Sequence, residues 1–430
     1  MDKETSVYYL IRTLTFPFQW MPYSWIRATG RFLGLIAFYF MRDYRKRALS
    51  NVALASSLAF NKKEILKTAK KSFQNLAINC LEYPKLAQEK NIAEIIQCEN
   101  PETANELHAK GHGIIFFCGH QANWEVLFLD GTSRMKGIAI GKPVKNKRLY
   151  QWIVSIRERN GGMIIAPRNA VREGLRALKK GVFIGIVGDQ GMPDSGYSFP
   201  FLGRRAWTST APALLAYRTN SPIIFAETRR VKTGYRIHYS DPIWPDQSQP
   251  METEVKRLMD NCLTLLQESI KIAPGEWLWQ HNRWKQQTPQ TIYKQFRYDC
   301  IAIILPQEKE AFEKIFPHMA TLKRIYDGNF LVFVVPEAFR DQFAGEEVIT
   351  YCNMRETLLD DYRFKLVFNF TDYKPIYSHY ERLSAFAVLG FDQLKELAKP
   401  HLTEEIKDNL SEILLRAVCR PGSLWSPPCP

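Results

Sequence analysis

The sequence lacks several of the usual signatures of function, and each absence narrows what the chain can do. It has no G-x-x-x-x-G-K-[ST] phosphate loop, no H-E-x-x-H zinc pair and no G-x-S-x-G nucleophile elbow. Gly111-His112-Gly113 starts like a dinucleotide fingerprint but precedes the apolar run and lacks a third glycine. Nucleotide binding there is therefore not expected. The eight cysteines, Cys80 to Cys429, are scattered without a C-x-x-C pair, which excludes a Cys-rich zinc or redox motif and fits a reducing compartment. Buried small hydrophobes are the simpler role for them. His379 and His401 have no metal-ligand partners at suitable spacing, so no metal site is expected. Long apolar runs are also missing. The longest, Phe32 to Met41, is too short for a bilayer core of roughly 30 Å. No small-residue cleavage site follows a short apolar core, so a removable signal peptide does not fit.

What is present is apolar bulk and positive charge. With 430 residues, 46% of them hydrophobic, the chain can build two domains with substantial cores. Its 58 Lys and Arg against 44 Asp and Glu give a net +14, unevenly spread. Residues 296–430 hold 16 basic and 20 acidic side chains, a net of −4, so residues 1–295 carry +18. Between Tyr8 and Met41 the chain is rich in Phe, Trp, Tyr, Leu and Ile, interrupted by Arg12, Arg27 and Arg31 and broken by Pro17 and Pro22. Arg42, Arg45, Lys46 and Arg47 follow. Aromatic apolar sequence flanked by cations reads as a membrane-associating segment over 1–48, an anchor or an interfacial insertion facing an anionic surface. The plainer reading is a core helix of the soluble domain.

Helical spacing of Ile65, Leu66, Ala69, Phe73, Leu76 and Ala77 predicts a helix over 62–83. From Gly113 short apolar runs at 114–118, 138–140, 163–166, 182–187 and 223–226 alternate with amphipathic stretches at 125–130, 149–160, 171–179 and 210–219. That alternation predicts an α/β fold with a mostly parallel sheet flanked by helices. A further helix is expected over 252–272, and 286–295 reads as a linker. Beyond it, strands at 300–305, 330–335 and 364–370 and helices at 384–397 and 404–418 predict a second, smaller Rossmann-like α/β domain, ending in a Pro-rich tail. The expected division is 1–48, an enzymatic domain over 49–290, and an accessory domain over 297–430 that should be separable from the chemistry.

The sharpest chemical signal is GHQANWE at 119–125, directly after the run IIFFC. Reacting groups collect at strand ends in parallel α/β sheets. His120 there can act as a base, with Glu125 accepting its other ring N–H and fixing the tautomer. This is the histidine–carboxylate half of a triad, with the substrate's own hydroxyl as nucleophile. His-x4-Glu alone also arises by chance around structural histidines. Arg157 and Arg159 lie two apart on a predicted helix, so at most one should face the site; a guanidinium there could hold an anion or stabilise an oxyanion. Asp189 and Gln190 at another strand end could position an acceptor or cap a loop. Gly203-Arg204-Arg205 is a basic turn beside Phe199, Phe201 and Trp207, suited to a phosphorylated ligand at a membrane surface, although nucleic-acid binding gives similar composition. The Trp277 and Trp279 pair reads as packing.

From the N-terminal segment to about Lys285 the chain resembles the late acyltransferases of lipid A biosynthesis, within the lysophospholipid acyltransferase superfamily. The family's H-x4-[DE] motif matches His120 and Glu125. Its Pro-x-x-Asn and Arg-x-Arg blocks match KPVKN at 142–146, ending at Asn146, and RERNG at 157–161. GDQG at 188–191 is similar to its Asp-containing strand-end block, with Gly191 as a departure, and FPFLGRRAWTSTAPALLA at 199–216 to its loop block. The closing block resembles His281 to Lys285, with Arg283 at its centre and Gln280 before the histidine. The resemblance implies a glycerol-3-phosphate acyltransferase-like fold and transfer of an acyl chain from acyl-carrier protein to a hydroxyl of a Kdo-bearing lipid A precursor. It implies His120 and Glu125 as catalytic residues, and Asn146, Arg157, Arg159, Asp189, Gln190, Arg204 and Arg283 as oxyanion or substrate contacts. No cofactor beyond the acyl-carrier protein co-substrate, and no nucleic acid, is expected. The implied location is the cytoplasmic face of a bacterial inner membrane. Rival readings are an acyltransferase for another glycolipid, such as a phosphatidylinositol mannoside, and an anionic-surface or nucleic-acid binding module.

Overall fold

The apolar runs after Gly113 become strands in the computed structural model, which describes residues 2–89, 91–194 and 196–425. The chain forms two units, Met1–Met41 with Lys67–Arg283, and Arg42–Leu66 with Trp284–Pro430. In chain order the first part contains α1 (Lys3–Thr15), α2 (Tyr23–Phe40), α3 (Arg42–Leu54, in the second unit) and α4 (Lys62–Gln88). There follow β1 (Ile96–Cys98), α5 (Glu102–Ala109), β2 (Ile115–Cys118), α6 (Glu125–Arg134), β3 (Gly137–Ile140) and α7 (Lys147–Arg157). Next come β4 (Met163–Ile165), α8 (Ala170–Leu178), β5 (Phe183–Val187), β6 (Gly196–Phe201), β7 (Arg204–Ser209), α9 (Ala211–Thr219), β8 (Ile223–Val231), β9 (Gly234–Tyr239) and α10 (Met251–Ile272).

The first unit's sheet has the order β1-β9-β8-β2-β5-β3-β4. Strands β8, β2, β5, β3 and β4 run parallel, and only the β8–β9 ladder is antiparallel. Strand β2 is buried at every position because helices cover both faces, so its residues are all apolar rather than alternating. β6 and β7 form a separate hairpin, with Leu202 and Gly203 both at positive φ in its two-residue turn. The sequence reading had this stretch only as a loop block.

Helices α1 and α2 are packed elements of this unit. Arg12 stacks on Trp152 of α7 at 4.3 Å. α2 approaches α4 through Gly30 and Gly34, one turn apart: a Cβ at Gly34 would stand 2.4 Å from Gln74 Cα. Arg27, which interrupts the apolar pattern of α2, is buried and donates to Glu82 Oε1 at 3.1 Å and to the carbonyls of Lys232 and Gly234. Among the described residues no helix is long and apolar enough to cross a membrane.

The second unit contains a wholly parallel sheet of β10 (Cys300–Ile304), β11 (Phe330–Pro336), β12 (Glu347–Tyr351), β13 (Leu366–Asn369) and β14 (Ala387–Leu389). Its order, β12-β11-β10-β13-β14, is that of a doubly wound sheet. The helix expected over 384–397 is instead β14, Gly390 and then α14, counting α11 (Lys309–Ile315), α12 (Met319–Ile325), α13 (Pro375–Leu383) and α14 (Phe391–Ala398). The run Ala385 to Leu389 is short and apolar, and it pairs with β13. The helix expected from Glu404 begins only at α15 (Leu410–Val418), where Asn409 caps it. The expected linker contains Ile292, fully buried in this unit's core and bridged to Cys419. The Pro-rich tail beyond Trp425, with Cys429, lies outside the described residues.

Candidate active site

Register brings the reactive groups together. β2 and β5 are neighbours with Cys118 opposite Val187, so the residues two beyond each strand end are His120 and Asp189. The chains stay paired past the strands, with Gly188 N–H donating to the Cys118 carbonyl. Gly119 permits the approach: a Cβ there would lie 3.2 Å from Asp189 Oδ2 and 2.6 Å from Leu266.

His120 Nδ1 lies 2.6 Å from Asp189 Oδ1, while the His120 backbone N–H donates to Oδ2 at 2.7 Å. Trp277 Nε1–H donates to the same Oδ2 at 2.6 Å. Burial pushes the Asp189 carboxyl up, but the charge and hydrogen bonds of His120 and the Trp277 donor outweigh it and hold the pKa at about 2. An ionised carboxylate only accepts, so Nδ1 carries a proton, and in the neutral imidazole that tautomer leaves the lone pair on Nε2. The His120 side chain is 16% exposed, its ring packs edge-on to Trp124 at 4.7 Å, and the Gln190 amide nitrogen stands 3.4 Å from Nε2.

This corrects the expected pairing of His120 with Glu125. Glu125 opens α6 and is buried against α7, where Arg157 Nε donates to Oε2 at 2.7 Å and Nη2 to Oε1 at 2.5 Å. Arg157 Nη2 also reaches Tyr83 Oη at 3.3 Å. Burial lowers the guanidinium's pKa, but the charges of Glu125 and Tyr83 outweigh this and raise it. Five residues of separation suggested one dyad; the fold makes two, His120 with Asp189 and Glu125 with Arg157.

The remaining expected contacts divide clearly. Arg159 donates to the carbonyls of Leu86, at 2.5 Å, and Glu89, and so ties α7 to the end of α4. Asn146 caps α7, accepting from Leu149 N–H at 3.0 Å and donating to the Glu4 carbonyl at 2.6 Å. Arg283 is buried over Phe201, with Nη1 to the Trp207 carbonyl at 2.9 Å and Nη2 to Thr208 Oγ1 at 2.7 Å. Burial brings its pKa down to about 10. In all three the hydrogen bonds go to the protein's own backbone and side chains. Arg204 is half-buried at the start of β7, opposite Phe201. Asp189 and Gln190 are at the site, Asp189 in a more central place than the sequence reading gave it. Among the described residues no group of three His, Cys, Asp or Glu side chains could hold a metal ion.

Two parts of the site are not marked by local sequence pattern: Trp277, whose spacing from Trp279 suggests packing, and the polar stripe of α4. Ser72, Asn75, Asn79 and Glu82 recur at helical spacing, are all buried, and reach the loops around His120. A polar stripe on an otherwise apolar helix is a signal that could have found them.

No curated protein matches the chain. A family model for bacterial lipid A biosynthesis acyltransferases matches residues 3–286, from α1 past Arg283, and takes in His120, Asp189, the Glu125–Arg157 pair and the β6–β7 hairpin. The chain belongs to the bacterial lipid A biosynthesis acyltransferase family.

Proposed function

We propose that the chain transfers an acyl group from an acyl-carrier-protein thioester to a hydroxyl of a Kdo-bearing lipid A precursor, with His120 as general base and Asp189 orienting it. The observation that carries this reading is the His120–Asp189 couple, with Nδ1 bound and Nε2 turned toward Gln190. The acceptor hydroxyl gives its proton to Nε2 as its oxygen attacks the thioester carbonyl. The tetrahedral oxyanion collapses, the C–S bond breaks, and the departing thiolate takes the proton back from the imidazolium. An ester and a free carrier thiol result, and the base is regenerated. Arg157, held by Glu125 and with Nη1 beside Gly141, is the cation assigned to a phosphate or to the developing oxyanion.

The membrane reading is supported by the side chains that α1, α2 and their connection leave in solvent. Leu14, Trp20, Trp25, Phe32 and Phe40 are each more than 60% exposed, beside Arg12 and Arg31. Such a surface suits insertion into one leaflet, on the cytoplasmic face of the inner membrane where the thioester donor is made. The test is incubation of purified protein with acyl-carrier-protein thioesters of several chain lengths and lipid A precursors with and without Kdo, read by mass spectrometry. The expected product is precursor plus one acyl group, formed with stoichiometric release of carrier thiol. Thioester hydrolysis without an acylated lipid, or acylation from coenzyme A thioesters alone, would overturn the assignment.

A further inference from the structure

The loop that carries His120 contains a backbone conformation it would not hold unaided. Ala122, two residues on, sits at φ +47°, a left-handed region that non-glycine residues rarely occupy outside Asn, Asp and His. Its N–H donates to the Glu276 carbonyl at 2.9 Å, the Leu278 N–H donates to the His120 carbonyl at 3.0 Å, and Gln121 bridges Trp277. The whole segment therefore lies along the stretch of chain that also delivers Trp277 to Asp189.

The Ala122 carbonyl receives two side-chain donors from one helix. Asn75 Nδ2 donates to it at 3.0 Å and Asn79 Nδ2 donates to it as well, both from α4. Asn75 Nδ2 also reaches the Glu276 carbonyl at 2.9 Å. The two amides are prevented from turning over, because Arg230 of β8 donates to both Oδ1 atoms. Arg230 lies 3.8 Å from Glu82 Oε2, and that oxygen also accepts from Asn123 Nδ2 at 3.2 Å. All these side chains except Arg230 are buried below a tenth of their surface, so each asparagine amide has a fixed partner and no water to exchange with.

We propose that Asn75 and Asn79, oriented by Arg230, are positioning residues for the base: they hold the Ala122 carbonyl so that the strained turn keeps His120 on Asp189. This rests on His120 being the general base. Without the two donors, alanine at 122 relaxes toward negative φ and the segment from His120 to Ala122 shifts. A displacement of about 1 Å at a reacting group can cost about 100-fold in rate. Glycine at 122 would remove the drive to relax, since it occupies positive φ as readily as negative.

The experiment compares Asn75→Ala, Asn79→Ala, their double variant, and each again with Ala122→Gly, alongside Ala122→Gly and His120→Ala alone. Readouts are kcat and KM for acyl transfer from acyl-carrier-protein thioester, thermal midpoint, and the His120 Nδ1–H resonance in [15N]histidine-labelled protein. Either single asparagine variant should lower kcat by about 10-fold and the pair by about 100-fold, with KM within about twofold. The Nδ1–H resonance should weaken or broaden in step. Measured against Ala122→Gly alone, the asparagine losses should largely disappear. If the double variant does not fold, the two single variants carry the comparison. Unchanged kcat and resonance in the single variants would overturn the proposal. So would lost turnover that Ala122→Gly does not restore in a chain with a normal thermal midpoint. Retained turnover in His120→Ala would overturn the base assignment instead, and the resonance would still report whether the asparagines position the ring.

Discussion

Asp189 accepts three hydrogen bonds with two oxygens, and that arrangement makes its amide variant informative. In Asp189→Asn the position of Oδ2 must remain an acceptor, because the His120 N–H and Trp277 Nε1–H both point at it. The new NH2 group then occupies the place of Oδ1 and donates to Nδ1. The ring proton is forced onto Nε2, which under the proposed mechanism must keep its lone pair for the acceptor hydroxyl. Loss of the correct tautomer in a His–Asp couple is worth on the order of 10,000-fold, so kcat should fall by about that factor. His120→Ala should cost about 100- to 10,000-fold, and the double variant little more than the worse single one, because the two act as a unit. Glu125→Gln should behave differently: it leaves Arg157 half-paired in a buried place, and its loss should multiply with that of His120→Ala. Turnover of the four-way sets settles the pairing, and multiplicative losses for His120 with Asp189 would refute it. Asp189 also sets an acid limit. Its folded pKa of about 2 lies below the ordinary 3.8, so its contribution to stability is present above pH 3.8 and is lost as pH falls toward 2. In acid unfolding followed by tryptophan fluorescence, Asp189→Asn should flatten the stability change over that window.

At the scale of elements, the N-terminal helices owe their position to close approach rather than to their apolar surface. Gly34 faces the backbone of Gln74, which cannot move aside without shifting α4. Gly34→Ala should therefore destabilise the protein by about 1–3 kcal/mol, as overpacking of tight contacts does. It should also lower turnover, since α4 carries Asn75 and Asn79. Urea unfolding checks the first expectation; an unchanged midpoint would mean that α2 is not seated there. Elements of this kind were unevenly legible in the sequence. The central strands β2 and β5 could be read because their burial leaves a short apolar run, and α10 because its buried residues recur at helical spacing. β12 was missed because it is a half-exposed edge strand, EVITY, with no apolar run. β14 was taken for helix because a short apolar stretch has no period to distinguish the two. His120, Glu125, Arg157 and Asp189 were all singled out in the sequence. Their pairing was not, because it depends on the register of β2 against β5, which local spacing does not encode. The stripe on α4 was hidden for a related reason: its partners lie more than 40 residues away in the chain.

At the scale of the whole molecule, the chain crosses between its two units more than once. Arg42–Leu66 belongs to the second unit, so that unit is not an appendix that begins after the enzymatic domain. Lys46 Nζ donates to the Ala385 carbonyl at 2.5 Å, and Ser50 Oγ to the Arg363 carbonyl at 2.8 Å. Lys365, fully buried, is shared between Asp299 at 2.7 Å and Asn51 at 3.4 Å. Removing everything after Lys285 would leave α3 without these partners, and its buried Ala48, Leu49, Val52 and Leu54 without the unit to which the helix belongs. A short helix with an uncovered apolar face is an aggregation hazard. The separability expected from sequence therefore meets a physical obstacle, and residues 1–285 alone should be poorly soluble even though the site residues are all present. Changing Leu49→Glu and Val52→Glu should improve the solubility of that shortened chain by making the bared face polar. The same two changes should destabilise the full chain by several kcal/mol, because each buries an unpaired charge. Size-exclusion chromatography and thermal unfolding of the four proteins make the comparison. A shortened chain that stays monomeric with its original side chains would show that α3 does not depend on the second unit. Opposite signs of the same two substitutions in the two lengths of chain would show that it does.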